Sequence, residues 1–231
     1  MKSVNCKITS ITEHHAHLYK VKLDAQALPD YKPGQYLWLH MGEDDRRPFS
    51  IASAPHESSL ELHIGAGSPD SFAMQVIDKL KTSESITVDV AEGNAYLRQD
   101  IGQQRLIVVG GTGFSYAKSL LLGMCHNQEQ IPTTLYWGCS QPEHLYDLSV
   151  CQDLAEEHDW LTFIPVLEHN ADTCQARSGM LLDVVCDDLK DLSSYAIYVA
   201  GRFEMARVAK ERFLQHHAVE TMIFGDAFSF G

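Results

Sequence analysis

Up to about Leu97, apolar and polar residues largely alternate. Val4 to Ile11 and Leu18 to Leu23 follow this period of two, as half-buried strands do. Pro33-Gly34 marks a turn before the Gln35–His40 run, Ser59 to Ile64 alternates again, and Ile86 to Val90 gives a further short strand. One stretch has the helical period instead: Phe72, Val76, Ile77 and Leu80 fall on one side, with Asp70 or Ser71 as its cap. Short strands, frequent turns and one helix predict a small antiparallel β-barrel.

After about Gln103 the rhythm changes to continuous apolar runs. Leu106–Val109, Leu135–Trp137, Leu161–Leu167 and Ala196–Ala200 read as strands covered on both faces. Helical stretches separate them near Phe114–Cys125, Leu145–Glu157, Met180–Val185 and Phe203–His216, and Thr221–Gly225 reads as a last strand. Alternation of strand and helix predicts an α/β domain built on a parallel sheet. Pro165 inside one candidate strand points to a sheet edge or a bulge there. The polar stretch Arg98 to Gln104 marks the boundary, which gives a two-domain chain: a barrel over 1–100 and an α/β domain over 101–231.

Charge narrows the field of partners. A net charge of -13 argues against nucleic acid or an anionic membrane surface, which need clustered cations. No apolar run approaches the roughly 20 residues that span a bilayer, and Met1–Cys6 lacks the apolar stretch of a signal peptide. The expectation is a soluble cytoplasmic protein. Cys6, Cys125, Cys139, Cys151, Cys174 and Cys186 are scattered and read as reduced thiols. His14, His15, His17, His216 and His217 have no carboxylate or thiol partners at ligand spacing, so no metal site is expected. No serine lies in a Gly-x-Ser-x-Gly elbow, which argues against hydrolase chemistry.

Two segments carry candidate chemistry. Arg47-Pro48-Phe49-Ser50 offers a cation, a stiff backbone, a ring and a hydroxyl in four consecutive positions, which suits a flat ring system with polar edges. Its plain alternative is the start of a strand continuing into Ile51 and Ala52. Val108-Val109-Gly110-Gly111-Thr112-Gly113 is an apolar strand running into a glycine-rich turn and a helix, a place where a nucleotide can approach backbone amides. It lacks the third glycine of the Gly-x-Gly-x-x-Gly fingerprint, because Ser115 and Tyr116 follow Phe114, so a purely structural turn stays open.

Arg47-Pro48-Phe49-Ser50 resembles the Arg-x-(Tyr/Phe)-Ser flavin motif of the ferredoxin–NADP reductase superfamily. The resemblance continues through Gly110–Gly113, Tyr136-Trp137-Gly138, Ala200–Met205 and the C-terminal aromatic tail. Within that superfamily, His63–Ala66, Gly113–Ala117, His144–Asp147 and Phe224–Phe228 are similar to the bacterial NAD(P)H:flavin reductases, including those of luminous bacteria. The resemblance implies that the barrel holds the isoalloxazine and the α/β domain the nicotinamide nucleotide. It puts the Ser50 hydroxyl near flavin N5, Pro48 and Phe49 along the ring, and Arg47 near the ribityl chain or an attached phosphate. His63, Ile64 and Ala66 then meet the ring edge through their backbone, although a solvent-facing strand position explains His63 as well. Phe228 and Phe230 are implied over the flavin face, with a plug of the last strand as the alternative.

For the nucleotide, the resemblance implies that Gly110, Gly111 and Gly113 allow close approach of the ribose while Thr112 orients the nicotinamide. Gly138, Gly201 and Met205 complete that set. Ala200 and Arg202 replace the cysteine and proline of the superfamily's Cys-Gly-Pro-x-x-Met pattern, so thiol chemistry is not required. Gly138-Cys139-Ser140 stands where NADPH-selective members carry Gly-x-Arg, which implies that NADH serves at least as well as NADPH. Gly67-Ser68-Pro69-Asp70-Ser71 presents an acid where members that retain FAD hold a pyrophosphate, which implies a flavin (riboflavin, FMN or FAD) used as substrate.

The expected function is hydride transfer from NADH or NADPH to free flavin, with Ser50 and Thr112 as catalytic positions. Reduced flavin would reach acceptors such as a luciferase, a monooxygenase or ferric complexes by diffusion. An electron-transfer flavoprotein serving a protein partner and a non-catalytic nucleotide sensor are the competing readings.

Overall fold

The change of rhythm near residue 100 corresponds to two differently built units in the computed structural model, which describes residues 2–15, 17–66, 71–99, 101, 104–169 and 175–229. One unit comprises Met1–Leu97 together with Lys118–Gln128; the other comprises Arg98–Ala117 with Glu129–Gly231.

In the first unit the alternating segments form β1 (Lys2–His15), β2 (Leu18–Asp24), β3 (Tyr36–His40), β4 (Arg46–Ser50), β5 (Leu60–Gly65) and β6 (Ser85–Glu92). They pair antiparallel in the order β4-β3-β6-β1-β2-β5. A bridge between Ile51 and Leu62, with the Ala52 N–H donating to the Glu61 carbonyl at 2.7 Å, joins the two outer strands and closes the sheet into a barrel. Closure removes the exposed sheet edges. Inward residues Val21, Leu23, Leu37, Leu39, Leu60, Leu62 and Val88 are fully buried in its core. Helix α1 (Phe72–Lys81) starts at Ser71, whose hydroxyl accepts the Met74 N–H, and buries Val76, Ile77 and Leu80. Phe72 does not join that buried face. As the first helical residue it projects outward, 76% exposed, with the Arg47 guanidinium 5.2 Å from its ring centre.

The second unit carries β7 (Gln104–Gly110), β8 (Thr133–Cys139), β9 (Leu161–Leu167), β10 (Arg177–Ser178), β11 (Tyr195–Ala200) and β12 (Ile223–Phe224), all parallel, in the order β10-β9-β8-β7-β11-β12. The intervening helices are α2 (Phe114–His126), α3 (Leu148–Glu157), α4 (Leu181–Asp188) and α5 (Phe203–Gln215). Leu106 to Val109 are wholly buried, as their unbroken apolar run requires. Pro165 lies opposite Trp137 of β8, and on its other side β10 pairs only with Val166 and Leu167. It therefore sits at a locally free edge, where the missing N–H costs no ladder bond. The strand order reverses at β7, with β8 on one side and β11 on the other. In open α/β sheets a crevice at the carboxyl ends of such strands is where ligands bind. Among the described residues no helix is long and apolar enough to cross a membrane.

Candidate active site

Arg47-Pro48-Phe49-Ser50 belongs to β4, held in extended register by β3: Phe49 pairs with Leu37, Pro48 with Trp38 and Ser50 with Tyr36. Pro48 is tolerated here because β4 is the outermost strand in the sheet order, where proline's fixed torsion and missing N–H are accommodated. A pocket of about 450 Å³ opens beside β4, lined by Asp45, Arg47, Pro48, Phe49, Phe72 and Ala73. That volume lies in the range of small-molecule sites. Its walls are a proline, an alanine, two aromatic rings, one guanidinium and the Asp45 carboxylate, a mainly apolar surface of the kind that takes a flat heterocycle. Ser50 follows Phe49 at the end of the strand, one residue before the bridge that closes the barrel.

The Arg47 guanidinium is tightly engaged. Its Nε and one Nη donate to the two carboxylate oxygens of Asp45 at 3.2 and 2.9 Å, the same Nη donates to Gln75 Oε1 at 3.0 Å, and the other Nη reaches the Phe72 carbonyl. On the outer face of the neighbouring strands, the buried Asp89 carboxylate accepts from Ser3 Oγ and from Arg46 at 3.0 Å, with His40 Nε2 2.9 Å away, which ties β1, β3, β4 and β6 together. Burial pushes the Asp89 carboxyl up, but these hydrogen bonds outweigh it and hold it down at about 2.

His63 and Ile64 lie on β5, one and two residues beyond the Leu62 side of the closing bridge. Ile64 points into the barrel core, and the Ala66 N–H donates to the His17 carbonyl at 2.8 Å. His63 is not a solvent-facing position: its side chain is fully buried, with Nε2 2.8 Å from Glu61 Oε1, and Lys118 reaches the same oxygen at 2.7 Å. Burial raises the Glu61 carboxyl, yet the bonds from His63 and Lys118 hold it well below the usual range. Alternation along β5 shows that Glu61 and His63 point outward. It does not show that Lys118 of α2 covers them.

The second constellation is made of backbone. Gly110 ends β7, and Gly111–Gly113 form a 3-10 turn leading directly into α2. Gly111 has φ +53° and open space where a Cβ would stand, so a ligand can approach the chain there. Gly113 is required for a different reason: a Cβ would lie 2.6 Å from the Ala200 carbonyl oxygen at the end of β11. Met205 packs its thioether over Gly110 and Gly201, with a Cβ on Gly110 falling 3.0 Å from the sulfur. Trp137 fixes the turn by donating from Nε1 to the Gly111 carbonyl at 2.9 Å, and it stacks on Phe114 at 4.0 Å. Ser115 Oγ bonds the Thr112 carbonyl at 2.9 Å, which holds the residue expected to orient the nicotinamide. Gly110, Gly113, Gly201 and Met205 therefore meet at the carboxyl ends of the paired strands β7 and β11, with Gly111 and Thr112 in the same turn.

Gly138 serves packing in this arrangement, since a Cβ would meet Leu181 of α4 at 2.8 Å. The neighbouring Cys139 thiol is pushed up to about 12 by burial, so it stays neutral. Phe228 lies in the C-terminal 3-10 turn, its ring against Gly225 and under Lys210 of α5. Phe230, Cys174 and the segment from Gly67 to Asp70 lie outside the described residues. Asp45, Gln75, Glu61 and Lys118 contact the candidate residues and belong to none of the motifs read from the sequence.

Residues 107–211 match the family model of the oxidoreductase NAD-binding domain. Among solved structures, a ferredoxin NADP+ reductase from Neisseria gonorrhoeae aligns with a TM-score of 0.77 at 20% identity, covering 94% of this chain and 92% of that one. That likeness is one of fold. Barrel and parallel sheet together show the fold of the ferredoxin reductases. An NAD(P)H-flavin reductase from Aliivibrio fischeri is 39% identical to the chain over 98% of it and 99% of its own length. One from Vibrio harveyi is 37% identical over 99% of each. The chain belongs to the NAD(P)H-flavin reductase family.

Proposed function

We propose that this protein catalyses NAD(P)H-dependent reduction of free flavin, binding riboflavin, FMN or FAD as a substrate and releasing it reduced. The observation that carries this reading is the end-to-end similarity to relatives named NAD(P)H-flavin reductase. The pocket lined by Arg47, Pro48 and Phe49 supports it. The nicotinamide supplies a hydride from C4, and the flavin accepts it at N5.

The chain's own part is positioning and polarity. Pro48 and Phe49 give the ring an apolar wall, and Ser50 Oγ donates to N5. Such a donor favours the reaction because its hydrogen bond strengthens as charge develops there. His63, Ile64 and Ala66 border the ring through their backbone. Gly110, Gly111 and Gly113 admit the nucleotide close to the chain, Thr112 orients its nicotinamide, and Gly201 with Met205 forms the opposite wall. Holding the reacting atoms about 3–3.5 Å apart in the right orientation supplies most of the catalysis. No thiolate takes part, since burial keeps Cys139 neutral and Ala200 stands where the superfamily pattern has its cysteine. NADH serves at least as well as NADPH, because Gly138-Cys139-Ser140 offers no fixed cation to a 2'-phosphate. Reduced flavin then diffuses to its acceptor, such as a monooxygenase, a luciferase or a ferric complex.

The test is to mix dialysed protein with NADH and follow nicotinamide absorbance as riboflavin is added. The rate should rise with riboflavin and saturate. A stoichiometric yellow protein that survives dialysis and ignores added flavin would instead identify a carrier of electrons to a protein partner.

A further inference from the structure

A flavin pocket can recognise its substrate by the ring alone or also by the phosphate that FMN and FAD carry. Among the described residues Arg47 is the only guanidinium lining this pocket, and its side chain is 15% exposed. A guanidinium has five N–H donors in a rigid fork, and the edge formed by Nε and one Nη takes a carboxylate or a phosphate in the same bidentate geometry. In this protein that edge is occupied. Asp45 sits on it with both oxygens, at 3.2 and 2.9 Å. Gln75 Oε1 takes the second hydrogen of that Nη, and the Phe72 carbonyl takes the other Nη.

Asp45 is built into place. It closes the β3–β4 hairpin, where its carbonyl accepts the Met41 and Gly42 N–H groups at 2.7 and 3.2 Å. The hydrogen bonds from Arg47 lower its carboxyl pKa, with Lys79 adding to the effect, so it remains ionised at neutral pH. Lys79 is itself tied to the Met41 carbonyl at 2.7 Å. The carboxylate also lines the pocket, so an incoming phosphate meets a negative charge on the cation it would need.

We infer that Asp45 is a specificity-determining residue: by occupying the bidentate edge of Arg47 it denies that guanidinium to the phosphate of an FMN or FAD entering the pocket. This rests on the flavin-reductase reading above. Arg47 then acts as a structural clamp between the hairpin and α1, and its stem and the Phe72 ring form one wall for the isoalloxazine.

The experiment compares kcat/KM for FMN with that for riboflavin, using NADH, in the wild type, Asp45→Asn and Asp45→Ala. Asp45→Asn removes the charge and one acceptor oxygen, and Asp45→Ala clears the edge. The FMN-to-riboflavin ratio should rise by about tenfold in Asp45→Asn and further in Asp45→Ala, as expected for a guanidinium released to a phosphate. In both variants the gain should shrink as salt is added, because an exposed ion pair is screened. The wild type gives a check independent of folding of the variants: its ratio should not fall as salt rises. A wild-type ratio that falls steeply with salt, or variant ratios that stay at the wild-type value, overturns the assignment of Asp45 while leaving flavin reduction standing. Absence of any flavin turnover by the wild type removes the functional reading, and the role of Asp45 with it.

Discussion

On the reading proposed above, the two constellations hold a planar ring by opposite means. On the barrel, side chains form the surface: Arg47 is held by Asp45 and Gln75, Pro48 and Phe49 line the pocket, and Ser50 is the proposed donor. At the glycine turn, side chains are withdrawn: Gly111 leaves open space, and Gly113 lets the chain lie against Ala200. A site made of side chains is altered by changing polarity and charge. A site made of backbone is altered by adding a single carbon. This difference predicts which substitutions act on which substrate.

The largest effect expected is at the donor. Ser50→Ala should slow turnover on the order of 10–1000-fold, the range for loss of one preorganised donor, with KM for NADH little changed. Normal turnover with intact flavin binding would remove Ser50 from its role. Next is the backbone site. Gly113→Ala forces a carbon against the Ala200 carbonyl oxygen, which cannot move aside as a side-chain tip can. It should cost roughly 1–3 kcal/mol of stability and on the order of 100-fold in kcat/KM for NADH. Steady-state kinetics showing the loss on the flavin side instead would break the comparison. Gly110→Ala sharpens it, because its new neighbour is the flexible Met205 thioether at 3.0 Å. A change of only a few-fold, about 1 kcal/mol, is expected there.

The smallest effect is on stability. A carboxylate whose folded-state value is depressed contributes stability that is complete above its unfolded value of about 3.9 and is lost as pH falls through the folded value. For Asp89 that window runs from about pH 4 down to about 2. Thermal unfolding across it should show the wild type losing on the order of 1 kcal/mol from this group, and Asp89→Asn should be weaker at neutral pH but flatter below pH 4.

Hydrophobic rhythm was enough for the architecture because each unit obeys one period. The barrel strands alternate, the sheet strands are apolar throughout, and even Pro165 betrays its edge position. Arg47–Ser50 and Gly110–Gly113 stand out in the sequence as candidates because each is contiguous. What stayed hidden depends on residues distant in sequence. Asp45 and Gln75 meet Arg47 only when the hairpin and α1 fold together, and nothing in the period of either segment couples them. His63 reads as an outward strand residue until Lys118, from a helix that begins in the other half of the sequence, caps its partner Glu61. Phe72 has the spacing of a core residue, and its place at the first turn turns it outward. The tight approach of Gly113 to Ala200 needs the reversal of strand order at β7, which sequence pattern leaves undetermined.

The most direct test is a rapid-mixing experiment without oxygen, in which excess protein and riboflavin meet NADH deuterated at the transferred C4 position. Flavin bleaching and loss of nicotinamide absorbance should share one rate constant, and deuterium should slow both by the same factor. Nicotinamide absorbance that disappears while riboflavin stays oxidised would contradict direct transfer between the two.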